Sequence, residues 1–310
     1  MTASAPQSAP PPAGTEAALV RQELLTPSDR WQPGGRAAWR RFKNRLATFL
    51  ATMAAVVLVL VLASILWTLF IKGLPGLSVA VFLRPMAPPG VVGGLGNAIL
   101  GSVIQTALAM AIATPIGLGC GVYLAEYALP HRPFTKVARF AADLLMSVPS
   151  ILAGLFVYQL CVVPFGHFSG WAGALALAVL AIPLVVRTTE DMLGLVPKAM
   201  MEAGAALGAP RWIVITRLCM RAAREGIATG LLLALARTGG ETAPLLFTAL
   251  GNQDWSLDPS RPMASLPLAI YQYAGAAYAD WVGLAWTGAL LVTLAVLGIN
   301  IATRAFMRKS

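Results

Sequence analysis

The chain reads as an all-α, polytopic membrane protein with six transmembrane helices, and three observations lead there. Of its 310 residues, 57% are hydrophobic and only 12% charged, against about 25% charged in soluble domains. Mean hydropathy is +0.72. Six apolar stretches reach or approach the roughly 20 residues needed to cross about 30 Å of hydrocarbon.

Residues 1–45 open with MTASAPQSAPPPAGTEAALVRQ, rich in Pro, Ala and Ser with no early apolar core. That composition predicts a disordered cytoplasmic tail, not a signal peptide. The remainder, residues 46–308, carries spans near 46–71, 97–127, 140–164, 171–186, 226–250 and 282–302. The second, third and fourth hold Pro115, Pro149 and Pro183. Prolines inside a span free backbone carbonyls, so each is expected to kink its helix against neighbouring helices or cavity water.

Six spans place both ends on one side, and Lys and Arg decide which. The tail exit (Arg36 to Arg45), the loop with Arg132, Lys136 and Arg139, the loop from Arg187 to Arg224 and the C-terminal Arg304, Arg308 and Lys309 fall on one side. Only Lys72, Arg84 and Arg261 fall on the other. Both termini are therefore expected to be cytoplasmic, in a cell (inner) membrane. The net charge of +10 is absorbed by this bias, which leaves nothing that calls for a nucleic-acid partner.

Cys120, Cys161 and Cys219 form no CxxC pair and do not cluster with His131 or His167, so no disulfide framework or metal site is expected. No GxxxxGK[ST] phosphate loop occurs, so any ATP must be bound by a partner and no cofactor is expected on this chain. Two outer segments, Lys72 to Gly96 and Gly251 to Asp280, are large enough to hold structure. They are expected to line a vestibule, touch an external partner or simply connect.

The inner loop contains LVPKAMMEAGAALGAPRWIVITRLCMR. Pro197 suits a helix start, and Gly208 followed by Pro210 ends the run, predicting a short cytoplasmic helix near 197–209. Its small residues Ala203, Gly204, Ala205, Ala206 and Gly208 keep its surface low, and Glu202 supplies a fixed charge. This stretch resembles the EAA motif of ABC importer permeases, with Gly204 at the motif's second alanine and Met220-Arg221 in place of its Leu-Pro. GGLGNAILGSVIQTALAMAIATPIGLGCGVYLAEY, SVPSILAGLFVY, IPLVVRTTEDMLGLVP, ARTGGETAPLLFTALGNQDW and RPMASLPLAIYQYA look like the PstA family of phosphate importer permeases. GETAPLLFTAL, and the LP before the last aromatic segment, favour that family over its PstC partner.

The resemblance implies a type I ABC importer (MetI-like) permease fold, with the short helix as the coupling helix. It also implies a PstC-type permease, a PstB-type ATPase dimer and a PstS-type phosphate-binding protein as partners. Glu202, Ala203, Gly204 and Gly208 would then meet the ATPase. The implied activity is import of inorganic phosphate, by a transport subunit and not an enzyme. Importers of phosphonate, sulfate or molybdate are the alternative. An intramembrane enzyme is a distant one, because it needs clustered acids or a nucleophile with a base.

ALARTGGETAP places Arg237 and Glu241 in the fifth span, Arg237 eleven residues beyond Gly226. At helical rise that is about 16 Å, near the bilayer midplane, where a cation usually faces a cavity or partner. Glu241 lies four positions on, within pairing distance. Structurally, the pair simply offsets its own burial. Functionally, given the resemblance, Arg237 offers its planar fork to phosphate oxygens, and Glu241 holds Arg237 when the path is empty or accepts a hydrogen bond from protonated phosphate. Thr238 adds a hydroxyl, and Gly239 and Gly240 open room or let the helix unwind. Glu126, Asp143, Glu190 and Asp191 are expected to lie solvated or at the interface near the inner span ends, with Asp143 a second candidate by its depth.

Overall fold

The computed structural model describes residues 35–129 and 131–307. Residues 1–34 of the expected tail lie outside them. The chain divides into two units, Met1–Ser64 and Ile65–Ser310, and helix α1, Gly35–Gly73, runs through the boundary. Residues 35–45, taken above as tail, are helical. Arg40, Arg41, Lys43 and Arg45 favour helix as well as loop, and Lys43 sits 5.2 Å over the Trp39 ring, which stacks on Phe42.

In the second unit, α2 (Gly96–Val122) continues into a π turn, Tyr123–Tyr127. Then come α3 (Pro133–Ser147) and α4 (Ser150–Val157), followed by a π turn Tyr158–Val162. Next are α5 (Gly170–Gly194) and the short α6 (Lys198–Ala206). A turn leads through Arg211–Ile213 and a π turn Val214–Cys219 into α7 (Met220–Gly239). The chain closes with α8 (Ala243–Thr248), α9 (Leu266–Ala274) and α10 (Ala279–Met307).

Of the described helices, four are long and apolar enough to cross a membrane, and five if the bent α3–α4 pair counts as one span. Two expectations change here. The third span is not one helix: α3 and the stretch Ser150–Phe165 meet at 106°. Val148, the residue before Pro149, takes extended backbone (ψ 132°), as the proline ring's clash with its predecessor demands. Pro115 and Pro183, in contrast, lie inside unbroken helices. The fifth span also ends early, at Gly239, and it carries Arg221, Arg224, Glu225 and Arg237, charges enough to keep it off the apolar set.

α2 and α5 lie side by side and run in the same direction. Their contact is a stripe at every fourth position of α2, the small residues Ala109, Ala113, Gly117 and Gly121 following Gln105, all buried; Gly101, one step earlier, packs on Met263 and Ala264 instead. A Cβ on Gly117 would stand 2.6 Å from Val185 Cβ, and one on Gly121 would stand 2.6 Å from Thr189 Cβ. Lipid offers no hydrophobic drive between helices, so close backbone approach through small residues carries the association. Ala109, Ala113, Leu177, Ala178 and Ala181 extend this seam to Leu245 and Ala249 of α8.

The two outer segments fold on each other at the N-terminal ends of α2 and α5. Asn97, buried, accepts a hydrogen bond from the Met86 N–H and donates to the carbonyls of Asn252 (2.8 Å) and Gln253 (2.9 Å), tying one segment to the other. Tyr273 stacks on Trp281 at 4.5 Å between ring centroids, and Trp281 Nε1 donates to the Ala87 carbonyl. Burial raises the Tyr273 phenol to about 12, helped by the negative charge of Asp280, so it stays protonated. The loop bearing α6 lies at the opposite ends of α2 and α5.

Candidate functional site

The first candidate site is a helix break. α7 stops at Gly239, and the Gly240 N–H turns back to the Arg237 carbonyl (3.1 Å) while the Glu241 N–H reaches Thr238 (3.3 Å). α8 resumes at Ala243 with Pro244 in its first turn, where a missing N–H costs nothing. Neither glycine is forced by crowding: a Cβ on Gly239 would meet only Thr106 Oγ1 at 4.0 Å, and one on Gly240 nothing nearer than 3.7 Å. Their effect is to end the helix, since each glycine disfavours helix by about 1 kcal/mol relative to alanine. The helix thus ends at these glycines, and the space beside them is open.

Arg237 occupies the last turn of α7, where the helix dipole favours a cation. Its Nε lies 3.7 Å from Glu241 Oε1, with the arginine side chain 47% exposed and the glutamate 18%. At that distance the pair is electrostatic and not a hydrogen bond. Among the described residues no acceptor engages the guanidinium donors. The pairing expected from spacing is present, but it spans the break instead of lying along one helix. Thr238 differs from expectation: it is buried, and its hydroxyl donates to the Ala234 carbonyl at 2.7 Å, so the proton is committed.

Beside the break lies an apolar cavity of about 430 Å³, lined by Gly239 with Ser102, Val103 and Thr106 of α2 and Leu291 and Ala295 of α10. Gly239 is thus level with the first half of α2 and the middle of α10. Gly154 lets α4 reach the start of α8, since a Cβ there would stand 2.5 Å from Pro244 Cα.

The second site is α6. Gly204 is its one buried residue; Glu202, Ala203, Ala205 and Ala206 are exposed, as is Gly208 just beyond its end. Gly208 has φ +75°, the left-handed conformation that ends helices at glycine. A Cβ on Gly204 would come within 3.0 Å of Val214 Cγ2. The departure from alanine at this motif position therefore follows from the packing of α6 on the π turn Val214–Cys219. Leu207, 88% exposed at the end of α6, is an apolar side chain that the sequence reading did not single out; a lone leucine among alanines was its only signal.

Of the four acids singled out above, Glu190 and Asp191 are held by arginines. Arg139 Nε meets Glu190 Oε1 at 2.7 Å, and Arg187 lies 3.7 Å from Glu190 and 3.5 Å from Asp191. Glu126 is buried, not solvated, and Asp143 is exposed. Among the described residues no cluster of three His, Cys, Asp or Glu side chains stands in metal-binding geometry.

Helices long and apolar enough to cross a membrane, a charged pair at a helix break and a short exposed helix on one loop fit a membrane transport subunit. Solved structures with the same fold are ABC transporter structures. An inward-facing form of the MetNI methionine ABC transporter matches with TM-score 0.58 at 19% identity, covering 69% of this chain and 95% of that one. An amino acid ABC transporter with histidines matches with TM-score 0.52 at 17% identity, covering 69% and 92%. The family model described as "Binding-protein-dependent transport system inner membrane component" matches residues 117–310. The phosphate transport system permease protein PstA of Pasteurella multocida is 52% identical over 86% of this chain and 95% of its own length. That of Haemophilus influenzae is 51% identical over 87% and 95%. The chain therefore belongs to the family of binding-protein-dependent transport inner membrane components and, within it, to the PstA permeases.

Proposed function

We propose that this chain is a membrane subunit of an ATP-driven importer of inorganic phosphate, forming half of the translocation path. The observation that carries the reading is identity of about one half to named phosphate permeases over nearly their whole length. The helix break supplies its chemistry. Arg237 offers unengaged, charge-assisted donors to phosphate oxygens, and Glu241 competes for the same guanidinium. A phosphate charge seated about 4 Å from Glu241 would be repelled by about 4 kcal/mol per unit charge at an effective dielectric of 20. Substrate and Glu241 therefore alternate on Arg237, which makes the glutamate a holding group for the empty path.

Energy enters at α6. A PstB-type ATPase dimer receives Glu202, Ala203 and Gly208, while Gly204, expected at this contact, is buried against Val214 and seats α6 instead; closure of the dimer on ATP drives a rigid-body change of access. A PstC-type permease completes the path, and a PstS-type protein delivers phosphate at the Asn97 end. Both termini then face the cytoplasm, in line with the distribution of Lys and Arg.

The test is rescue of a cell lacking its own phosphate importer membrane subunit. With the partner subunits supplied, this chain should restore uptake of labelled phosphate that unlabelled phosphate competes away and sulfate or molybdate does not. Uptake competed by sulfate or molybdate instead would move the chain to another oxyanion.

A further inference from the structure

We propose that Arg211 is a positioning residue through which displacement of α6 reaches the end of α2, beside the apolar core that joins the same block to Leu118 and Val122 of α2; the proposal rests on the reading of α6 as the ATPase-docking element. α6 does not move alone. It packs on the stretch after it through Gly204 and Val214, the Ala209 N–H returns to the Gly204 carbonyl at 3.3 Å, and Val214, Cys219, Ala223 and Ile227 share one buried core with Leu193 and Val196. Gly208 and Pro210 set the turn between, and Arg211 is the first residue of the next helical stretch. The docking helix and Arg211 thus belong to one block.

From that block Arg211 reaches the inner end of α2. Its Nη2 donates to the Glu126 carbonyl, and its guanidinium lies 5.2 Å from the centroid of the Tyr127 ring. The contact is made at the π turn Tyr123–Tyr127. The last carbonyls of a helix have no partner within it, and π turns tend to mark functional points in helices. A second arginine uses the same turn: Arg139 Nη2 donates to the Leu124 carbonyl at 3.2 Å while its Nε pairs with Glu190 of α5. Arg139 secures the end of α2 to its neighbours α3 and α5, and Arg211 secures it to the moving block.

Force on Glu126 and Tyr127 has a direct route onward. α2 is rigidly seated on α5 at Gly117 and Gly121, and farther along it lines the cavity beside Gly239 with Ser102 and Thr106. A planar guanidinium that stacks and donates at once is not replaced by lysine, a flexible point charge. That difference separates relay from mere charge.

The experiment uses the complete complex, reconstituted in vesicles with phosphate-loaded binding protein, and reads phosphate moved per ATP hydrolysed beside subunit co-purification. Arg211→Ala should keep the ATPase bound in wild-type proportion and lower the ratio about tenfold, within the range by which residues along a coupling route alter it. Arg211→Lys and Tyr127→Leu should each lower it by a smaller factor with assembly intact. A wild-type ratio in assembled Arg211→Ala overturns the proposal, and so does loss of the ATPase from it, which would make Arg211 a docking residue. Should Arg211→Ala fail to fold, unchanged ratios in the two milder variants overturn it equally. A wild-type complex that moves no phosphate would instead break the substrate reading, whatever the variants do.

Discussion

Arg237 and Glu241 face each other at 3.7 Å across the end of a helix, not along one. The cation sits on the last turn of α7, and the carboxylate belongs to the short irregular segment before α8. A pair built this way can open by movement of the segment alone, without unwinding either helix.

Removing the carboxylate charge should free the cation. In Glu241→Gln, apparent KM for phosphate is expected to fall by about threefold to tenfold, up to 1.4 kcal/mol, while the maximal rate declines because bound phosphate is no longer displaced. Initial-rate uptake over a range of phosphate concentrations checks this. A raised KM would mean that Glu241 contributes to binding instead of competing with it.

Charge reversal on α6 should separate the subunits. With Glu202 exposed on a helix of small residues, Glu202→Lys is expected to leave membrane insertion intact and to reduce co-purified ATPase severalfold, the effect of like-charge juxtaposition at an interface. Quantitative pull-down from membranes measures it.

The seam between α2 and α5 predicts a sharp contrast between two nearby glycines. A Cβ on Gly121 meets Thr189 Cβ at 2.6 Å, whereas one on Gly119 meets nothing within 4 Å. Gly121→Val should cost about 1–3 kcal/mol by overpacking, and Gly119→Val should cost little. Thermal unfolding of the two detergent-solubilised variants decides, with a Tm drop of several degrees expected for Gly121→Val alone.

Cys219, buried beneath α6, offers a pH readout of the docking loop. Burial, and secondarily the Glu126 charge, push its thiol above the ordinary value. A raised thiol pKa means less thiolate at any pH below it, so labelling by a thiolate-selective reagent should be slow at pH 8 and keep rising with pH after an exposed cysteine has levelled off. In a single-cysteine variant, Glu126→Gln should quicken labelling at fixed pH; no change would show that Glu126 does not act on this thiol.

The features legible in the sequence were those set by local chemistry. Pro197, Gly208 and Pro210 bracketed α6, which forms at Lys198–Ala206, because caps and breakers act within a few residues. The glycine pair beside Arg237 was visible too, yet four-residue spacing suits a continuous helix and a broken one alike, so the break itself was not. Proline alone did not tell a bend from a straight helix: Pro149 breaks its span, while Pro115 and Pro183 lie in helices held by close neighbours. The arginines on the π turn after α2 were read as topology markers. Their partners, the Leu124 and Glu126 carbonyls, are 15 and 85 residues away in the chain and carry no side-chain signature.

The most direct test of the central claim is ATP-driven phosphate uptake into vesicles holding this chain with its partner permease and ATPase, comparing wild type with Arg237→Ala. Wild type should accumulate phosphate only with ATP and loaded binding protein present. Arg237→Ala should assemble and hydrolyse ATP yet transport roughly 100-fold less, the scale of loss when one member of a charged contact is removed. Uptake by assembled Arg237→Ala at the wild-type rate would contradict the account.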